Sequence, residues 1–403
     1  LYRVFKFRSR KLLIEPLFWL FASWGLMMGL YYTSGIDYAY RLSLETWVYL
    51  LICWIVFLGA YFIGESYQVY LLRYHKSFYY GDTILSTVYY RLSLFCFILW
   101  MIDLFRLNRI SFGYRIAEFS ISKIGAICWL FVPLSIIVWL FELACAVQNN
   151  KRIPPRGYIS ALVFIIPAIV TAGRQALLIF LLSTFIVLGY SLNSLTIYRH
   201  RKAIKIIGLI ALIFVGWYLV VISTIRSGPV DKVALLEFTF NSKTPEMLVQ
   251  FVKNSGGLGQ VFLDFVYYYS HEVPGFEIFY RYYDGPLFWG MFQMPYIGRR
   301  LPIGTQLDYD TAWAYLDMMA ARAGIYSHTW RTAISSFIID FGRVGTVFFI
   351  GLLGFAIGKK RKKFMYSKTQ YELVFLSLIC VGGFFSVQYS PFTETSWAYP
   401  LYW

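Results

Sequence analysis

Residues 46–63 read TWVYLLICWIVFLGAYFI, eighteen positions without one Asp, Glu, Lys or Arg. Such a run approaches the roughly 20 apolar residues that an α-helix needs to cross a bilayer. Comparable runs recur to the end of the 403-residue chain, at about 16–33, 83–103, 124–147, 157–172, 175–192, 205–223, 344–358 and 371–388. Nine spans are therefore expected, and the short ones at 157–172 and 344–358 can extend through flanking residues. Composition agrees, with 59% hydrophobic, 21% aromatic and only 14% charged residues, where a soluble domain carries roughly a quarter charged. The fold class expected is an all-α polytopic membrane protein, and a soluble globular domain is excluded.

Charge placement orients the chain. The net charge of +16 would suggest a nucleic-acid partner in a soluble protein, but here the bases fall in short clusters between apolar runs. Arg3, Lys6, Arg8, Arg10 and Lys11 open the chain, followed by Arg73 and Lys76, then Lys151, Arg152 and Arg156. Arg199, Arg201, Lys202 and Lys205 form the fourth cluster, and Lys359, Lys360, Arg361, Lys362, Lys363 and Lys368 the fifth. With only Glu15, Glu65, Asp82 and Glu372 near them, these 20 bases carry the whole net charge. Bases accumulate in cytoplasmic loops, so the clusters mark the cytoplasmic side, and no nucleic-acid partner is expected. No cleavage site of small residues follows the first apolar run, so no signal peptide is expected. The five cysteines all lie inside apolar runs, as small buried hydrophobes do.

The stretch from about Ser223 to Gly345 faces the outside in this scheme. It divides the chain into a membrane domain at 1–223, a large extracytoplasmic loop at 224–343 and C-terminal spans at 344–403. The loop carries ten bases and eleven acids and an aromatic-dense section, FVYYYSHEVPGFEIFYRYYDGPLFWGMF, at 265–292. Aromatic residues mixed with charges suit helices folded against the bilayer interface, and the same rings suit sugars.

Ionisable groups at membrane depth are costly and therefore candidates for function; Arg91, Asp103, Glu142 and Arg174 are the ones present. Arg174, in TAGRQALL, stands at an outer helix start, where free N–H groups and a guanidinium together suit phosphate. A snorkelling interfacial arginine is the alternative. Arg226, Arg281, Arg299, Arg300, Arg322, Arg331 and Arg343 recur on the same side, seven Arg against three Lys, which favours bidentate recognition of an anion over a point charge. Pairing with the loop's own acids is the alternative. In SHTWRTAISSFIIDFGRVG, apolar residues at three- and four-residue steps predict a helix from Ser327 to Asp340, with His328, Arg331 and Ser335 along one face. A His/Arg face pointing at an anionic, hydroxyl-bearing substrate would supply a base and a charge clamp; capping or structural hydrogen bonding is the alternative. His271 with Glu272 is a second acid/base candidate, with interfacial decoration as the alternative. Asp308 and Asp310 have the spacing of a carboxylate pair for a divalent metal, yet that triplet arises often by chance, and no metal or cofactor is expected. GGLG at 256–259 lacks the Lys and Ser/Thr of a phosphate loop, and no HExxH occurs.

Two of these segments carry a family likeness. TAGRQALLIFLL (171–182) resembles the small-residue-then-Arg start of a span in the Wzy-type O-antigen and oligosaccharide repeat-unit polymerases and in the related O-antigen ligases. HTWRTAISSFIIDFGRVGTVFFIGLLG (328–354) resembles their pattern entering the span after the loop, through Thr332, Phe337, Asp340-Phe341-Gly342 and Gly345. His328 stands where that pattern commonly has Asn. The resemblance implies a GT-C-like, metal-independent and inverting glycosyltransferase of the bacterial inner membrane, its site facing the periplasm. It implies undecaprenyl-pyrophosphate-linked oligosaccharides as donor and acceptor, membrane lipid around them, and a chain-length regulator as a protein partner. Residue by residue, Arg174 and Arg226 would hold the pyrophosphate, with Arg281 and Arg331 as further contacts, and His328 would be the base, with Asp340 or Glu272 behind it. A flippase of the same lipid-linked sugars, or an O-antigen ligase, is the rival reading.

Overall fold

The structure is a computed structural model that describes residues 12–67, 78–106, 122–170, 174–191, 231–294, 309–325 and 332–402. It is almost wholly helical. The helices are α1 (Pro16–Thr33), α2 (Leu44–Ser66), α3 (Phe78–Arg106), α4 (Lys123–Trp129), α5 (Leu134–Gln148), α6 (Pro155–Val170) and α7 (Arg174–Ser191). After them come α8 (Lys232–Phe240), α9 (Glu246–Ser270), α10 (Glu272–Tyr282), α11 (Tyr309–Ala323), α12 (Ala333–Ser367), α13 (Gln370–Phe385) and α14 (Thr395–Tyr402). Among the described residues four stretches are long and apolar enough to cross a membrane: Leu44–Ser66, Ile84–Arg106, Ile127–Gln148 and Ala333–Ser367. Helices stand at eight of the nine positions read from the sequence, and the run at 205–223 lies outside the described residues.

Local chemistry explains the boundaries. Pro16 opens α1, where its missing N–H costs no helical bond. Ser43 caps α2 by accepting from the Thr46 N–H, as short hydroxyl side chains do at helix starts. The expected span 124–147 is two helices, because α4 ends at Trp129 and Pro133 stands immediately before α5. A two-stranded antiparallel pairing of Asp37 and Tyr38 with Lys243 and Ser242 ties the α1–α2 connection to the start of α9.

Two apolar cores hold the bundle. One is built chiefly on α5, α7 and α13. The other joins α1, α2, α10, α11 and α12 and includes Trp24, Leu50, Phe279 and Ile338. The tightest seam lies between α2 and α12. A Cβ at Gly64 would strike the Phe355 carbonyl, one at Gly354 the Phe57 carbonyl, and one at Gly358 the Tyr61 carbonyl. The backbones therefore touch through glycines, which is how membrane helices gain packing when lipid removes the hydrophobic drive. Beyond this seam Arg361 pairs with Glu15 at 2.6 Å and also with Glu65.

One expectation is corrected here. The segment up to Asp340 does not run straight on into the next span. Gly342 has φ 68 and ψ 178, a region essentially reserved for glycine, and the chain turns back on itself there. Phe341 stacks on Phe349 at 4.6 Å and Phe337 meets Phe349 at 5.0 Å, so residues 333–341 and 343–367 form a helical hairpin. The longer arm runs beside α2 in parallel and near-constant register, from Tyr49 with Arg343 to Glu65 with Arg361.

Candidate functional site

The short arm of the hairpin positions the site. Thr332 caps it, its Oγ1 accepting from the Ser335 N–H at 3.1 Å, and the Ala333 N–H donates to the Ser386 carbonyl at 2.8 Å. Ser386 Oγ in turn accepts from the Trp24 indole at 3.1 Å. Trp24 lies halfway along α1, so the short arm begins at mid-depth of the helical bundle. Nine residues at 1.5 Å each then rise about 13 Å, to the level where the Tyr49 hydroxyl donates to the Arg343 carbonyl at 2.8 Å near the start of α2. A helix start carries a partial positive charge, and here it is set inside the bundle among the buried hydroxyls of Thr332, Ser335 and Ser336, with the Ala333, Ser335 and Ser336 N–H groups already paired within the protein.

Asp340 closes the upper end of that arm and is fully buried. Its carboxylate accepts from the backbone N–H groups of Phe292 at 3.0 Å and Gln293 at 3.2 Å. Its own carbonyl accepts from the Trp289 N–H at 2.9 Å. The turn it holds is unusual, with Trp289 at φ 50 and Gly290 at φ 89, so the carboxylate compensates a backbone that would otherwise leave buried donors unmade. Gln293 Oε1 accepts from Ser390 Oγ, which links the turn to the segment after α13. Burial, with the Asp340 carboxylate adding to it, pushes the Tyr283 hydroxyl well above its ordinary pKa.

His271 sits between α9 and α10 and Glu272 opens α10, both buried. His271 Nε2 lies 3.5 Å from Glu272 Oε1, its Nδ1 lies 2.5 Å from the Tyr267 carbonyl, and its ring packs on Phe240 at 4.2 Å. The two side chains approach each other at the opposite end of α10 from the Asp340 turn. Arg281 is half-exposed and pairs with Glu277, whose other oxygen accepts from the Ser43 N–H at 2.9 Å and Ser43 Oγ at 3.1 Å. Arg343 donates through Nε to the Tyr280 carbonyl at 2.8 Å and covers that ring at 5.3 Å. In this state both arginines are engaged by the protein itself.

Arg174 is the first residue of α7, as the anion-site argument requires of the backbone. Its neighbours Gln175 and Ala176 line a cavity of about 100 Å³ with Pro133, Pro167, Ser396 and Glu394. Glu394 is a residue that sequence reasoning missed; its Oε1 accepts from the Ser396 N–H at 3.2 Å at the start of α14. His328, Arg331, Arg226, Arg299, Arg300 and Asp308 lie outside the described residues, as do the side chains of Arg174 and Asp310. Among the described residues no three His, Cys, Asp or Glu side chains converge as a metal site would need.

Two of the other intramembrane ionisable groups, Glu142 and Asp103, have structural partners. Glu142 pairs with Arg156 at 2.6 Å and accepts from Ser86 at 3.2 Å, and Asp103 accepts from Ser122 at 2.7 Å. GGLG at 256–259 is a break in α9, with Gly256 at φ 55.

These features define an all-α protein with membrane-crossing helices and a buried polar hairpin near one end of the bundle. Compared with protein-family models, curated proteins and solved structures, the chain matches none.

Proposed function

We propose that the chain is a polymerase of undecaprenyl-pyrophosphate-linked oligosaccharide repeat units, acting at the outer face of a bacterial inner membrane. The observation that carries this reading is the hairpin at Thr332–Gly342. The partial positive charge of a helix start set at mid-depth suits an anionic headgroup entering from the bilayer's outer half, and Asp340 holds the far end of that arm in place. Arg331 directly precedes Thr332 in the sequence, and His328 lies three residues before that.

In this mechanism the hydroxyl of the incoming lipid-linked unit attacks the anomeric carbon of the growing glycan. The anomeric C–O bond breaks, and its electrons leave with the lipid pyrophosphate. The hydroxyl proton passes to a base, for which His328 is the first choice, with Glu272 or Asp340 behind it. The pyrophosphate departs ionised, so the chain's task is to stabilise developing negative charge, which preorganised guanidinium groups do in a partly dry site. Arg174 and Arg226 take that role, with Arg331 and Arg281 beside them. Displacement in one step inverts the anomeric configuration. Asp340 already accepts two N–H groups, which suits it to holding the 288–293 turn more than to accepting a further proton.

The test is the surface glycan of a strain carrying a disrupted gene. A polymerase mutant caps its lipid core with a single repeat unit. A ligase mutant caps none, and a flippase mutant exports none; either result ends the proposal.

A further inference from the structure

A narrow apolar slot runs through the other end of the same bundle. It encloses about 300 Å³, at the lower limit of ligand-sized cavities. Ile350, Leu353, Ile357 and Lys360 line it along one face of α12. They span ten residues, about 15 Å of helix, so the volume is drawn out into a shape for a hydrocarbon chain. Its upper end meets Ala333 and Ile334 of the short arm, and its lower end is Lys360.

The lower end is charged in a particular way. Five consecutive bases stand there, and two are neutralised, Arg361 by Glu15 and Glu65 and Lys363 by Glu372. The other three face aromatic rings, Lys359 over Tyr67 at 5.3 Å, Lys360 over Phe375 at 5.2 Å and Lys362 over Tyr366 at 5.2 Å. Among the described residues none of these three meets a carboxylate. Phe375 also lines the slot, so the Lys360 ammonium stands at its mouth.

We infer that this slot binds one anionic phospholipid of the leaflet that the basic cluster faces. The acyl chain lies along Ile350–Ile357, and the phosphate sits on Lys360. An apolar slot alone would accept any lipid tail; the Lys360 ammonium at its mouth, with no carboxylate against it among the described residues, selects an anionic headgroup. The upper end of the slot adjoins the start of the short arm through Trp24, Ala333 and Ser386, while the headgroup end at Lys360 lies at the basic cluster, so lipid binding there does not require the proposed glycan chemistry.

The experiment is native mass spectrometry of the purified full chain, mixed in detergent with phosphatidylglycerol and phosphatidylcholine of matched acyl chains. One phosphatidylglycerol should be retained in preference. Lys360→Ala, at an exposed position, should weaken that retention about fivefold. Leu353→Trp, which fills the slot, should abolish it while the protein still elutes as a single species. Equal retention of the two lipids, or unchanged retention in Lys360→Ala, would overturn the assignment. Displacement by inorganic phosphate would do so too, because the tail would then contribute nothing. Displacement by a polyprenyl phosphate would instead assign the slot to the lipid carrier, and would equally overturn the inference.

Discussion

The Asp340 carboxylate accepts the backbone N–H of Phe292 at 3.0 Å, 48 positions back along the chain. Together with Gln293 this contact fastens the end of the aromatic loop to the hairpin. Asp340→Asn keeps the shape but turns one acceptor into a donor facing an N–H. A buried donor left without its acceptor costs about 1–3 kcal/mol. Hydrogen exchange should quicken at Phe292 and Gln293 before it does in α2. Unchanged exchange at those two amides would remove Asp340 from its holding role.

Gly342 makes the reversal that sets the short arm at mid-depth. Gly342→Ala forces a side chain into a backbone region essentially closed to it, at about 1–3 kcal/mol, and brings its Cβ to 3.3 Å from Leu287. Gly29→Ala is the matched control, since a Cβ there meets nothing within 4 Å and alanine is the better helix former. Thermal unfolding in detergent should show the first variant weakened and the second equal to or firmer than the parent. Equal stability of Gly342→Ala would mean that the hairpin is not strained in this way.

The helices were legible because apolar runs of bilayer length have few other outcomes, and eight expected positions hold helices. The hairpin was not legible. Ile334, Phe337, Ile338 and Phe341 keep the helical period up to Gly342, and the apolar run resumes immediately after it, so periodicity continues across a point where direction reverses. Gly342 read as one letter of a motif, whereas its conformation is fixed by Phe349 and Leu287 packing around it. Asp340 was legible as an ionisable residue near a membrane surface. The N–H groups of Phe292 and Gln293 that it accepts belong to the backbone, and backbone donors leave no mark in a sequence. The adjacency of His271 and Glu272 was visible, but their burial depends on Phe240 from a helix thirty residues earlier. The break in α9 at GGLG (256–259) follows from the conformation of Gly256 alone, which the sequence pattern does not show.

Arg281 is half-exposed and paired along its own helix with Glu277. Such pairs contribute less than about 1 kcal/mol, and Glu277 keeps Ser43 as a partner. Arg281→Ala should therefore leave expression and folding intact while shortening the polymer, as loss of a pyrophosphate contact would. Full-length polymer at normal protein level would assign Arg281 to Glu277 alone.

The 224–343 region should face outward. Asn254 is exposed on α9, and the native cysteines are buried apart from the half-buried Cys145, so a new thiol has little background. Asn254→Cys should react with an impermeant thiol reagent on whole spheroplasts. Reaction only after permeabilisation would invert the topology and place the arginines on the wrong face.

The central claim is polymerisation driven by loss of a lipid pyrophosphate, and it is tested most directly with the purified full chain and lipid-linked repeat units in EDTA. A ladder of lipid-linked glycans of two or more repeats is expected, with free undecaprenyl pyrophosphate released in step. Arg174→Lys, which keeps the charge but loses the bidentate fork, should fall on the order of a hundredfold in rate. Recovery of single repeats alone, with wild-type protein folded and both substrates present, would contradict that claim.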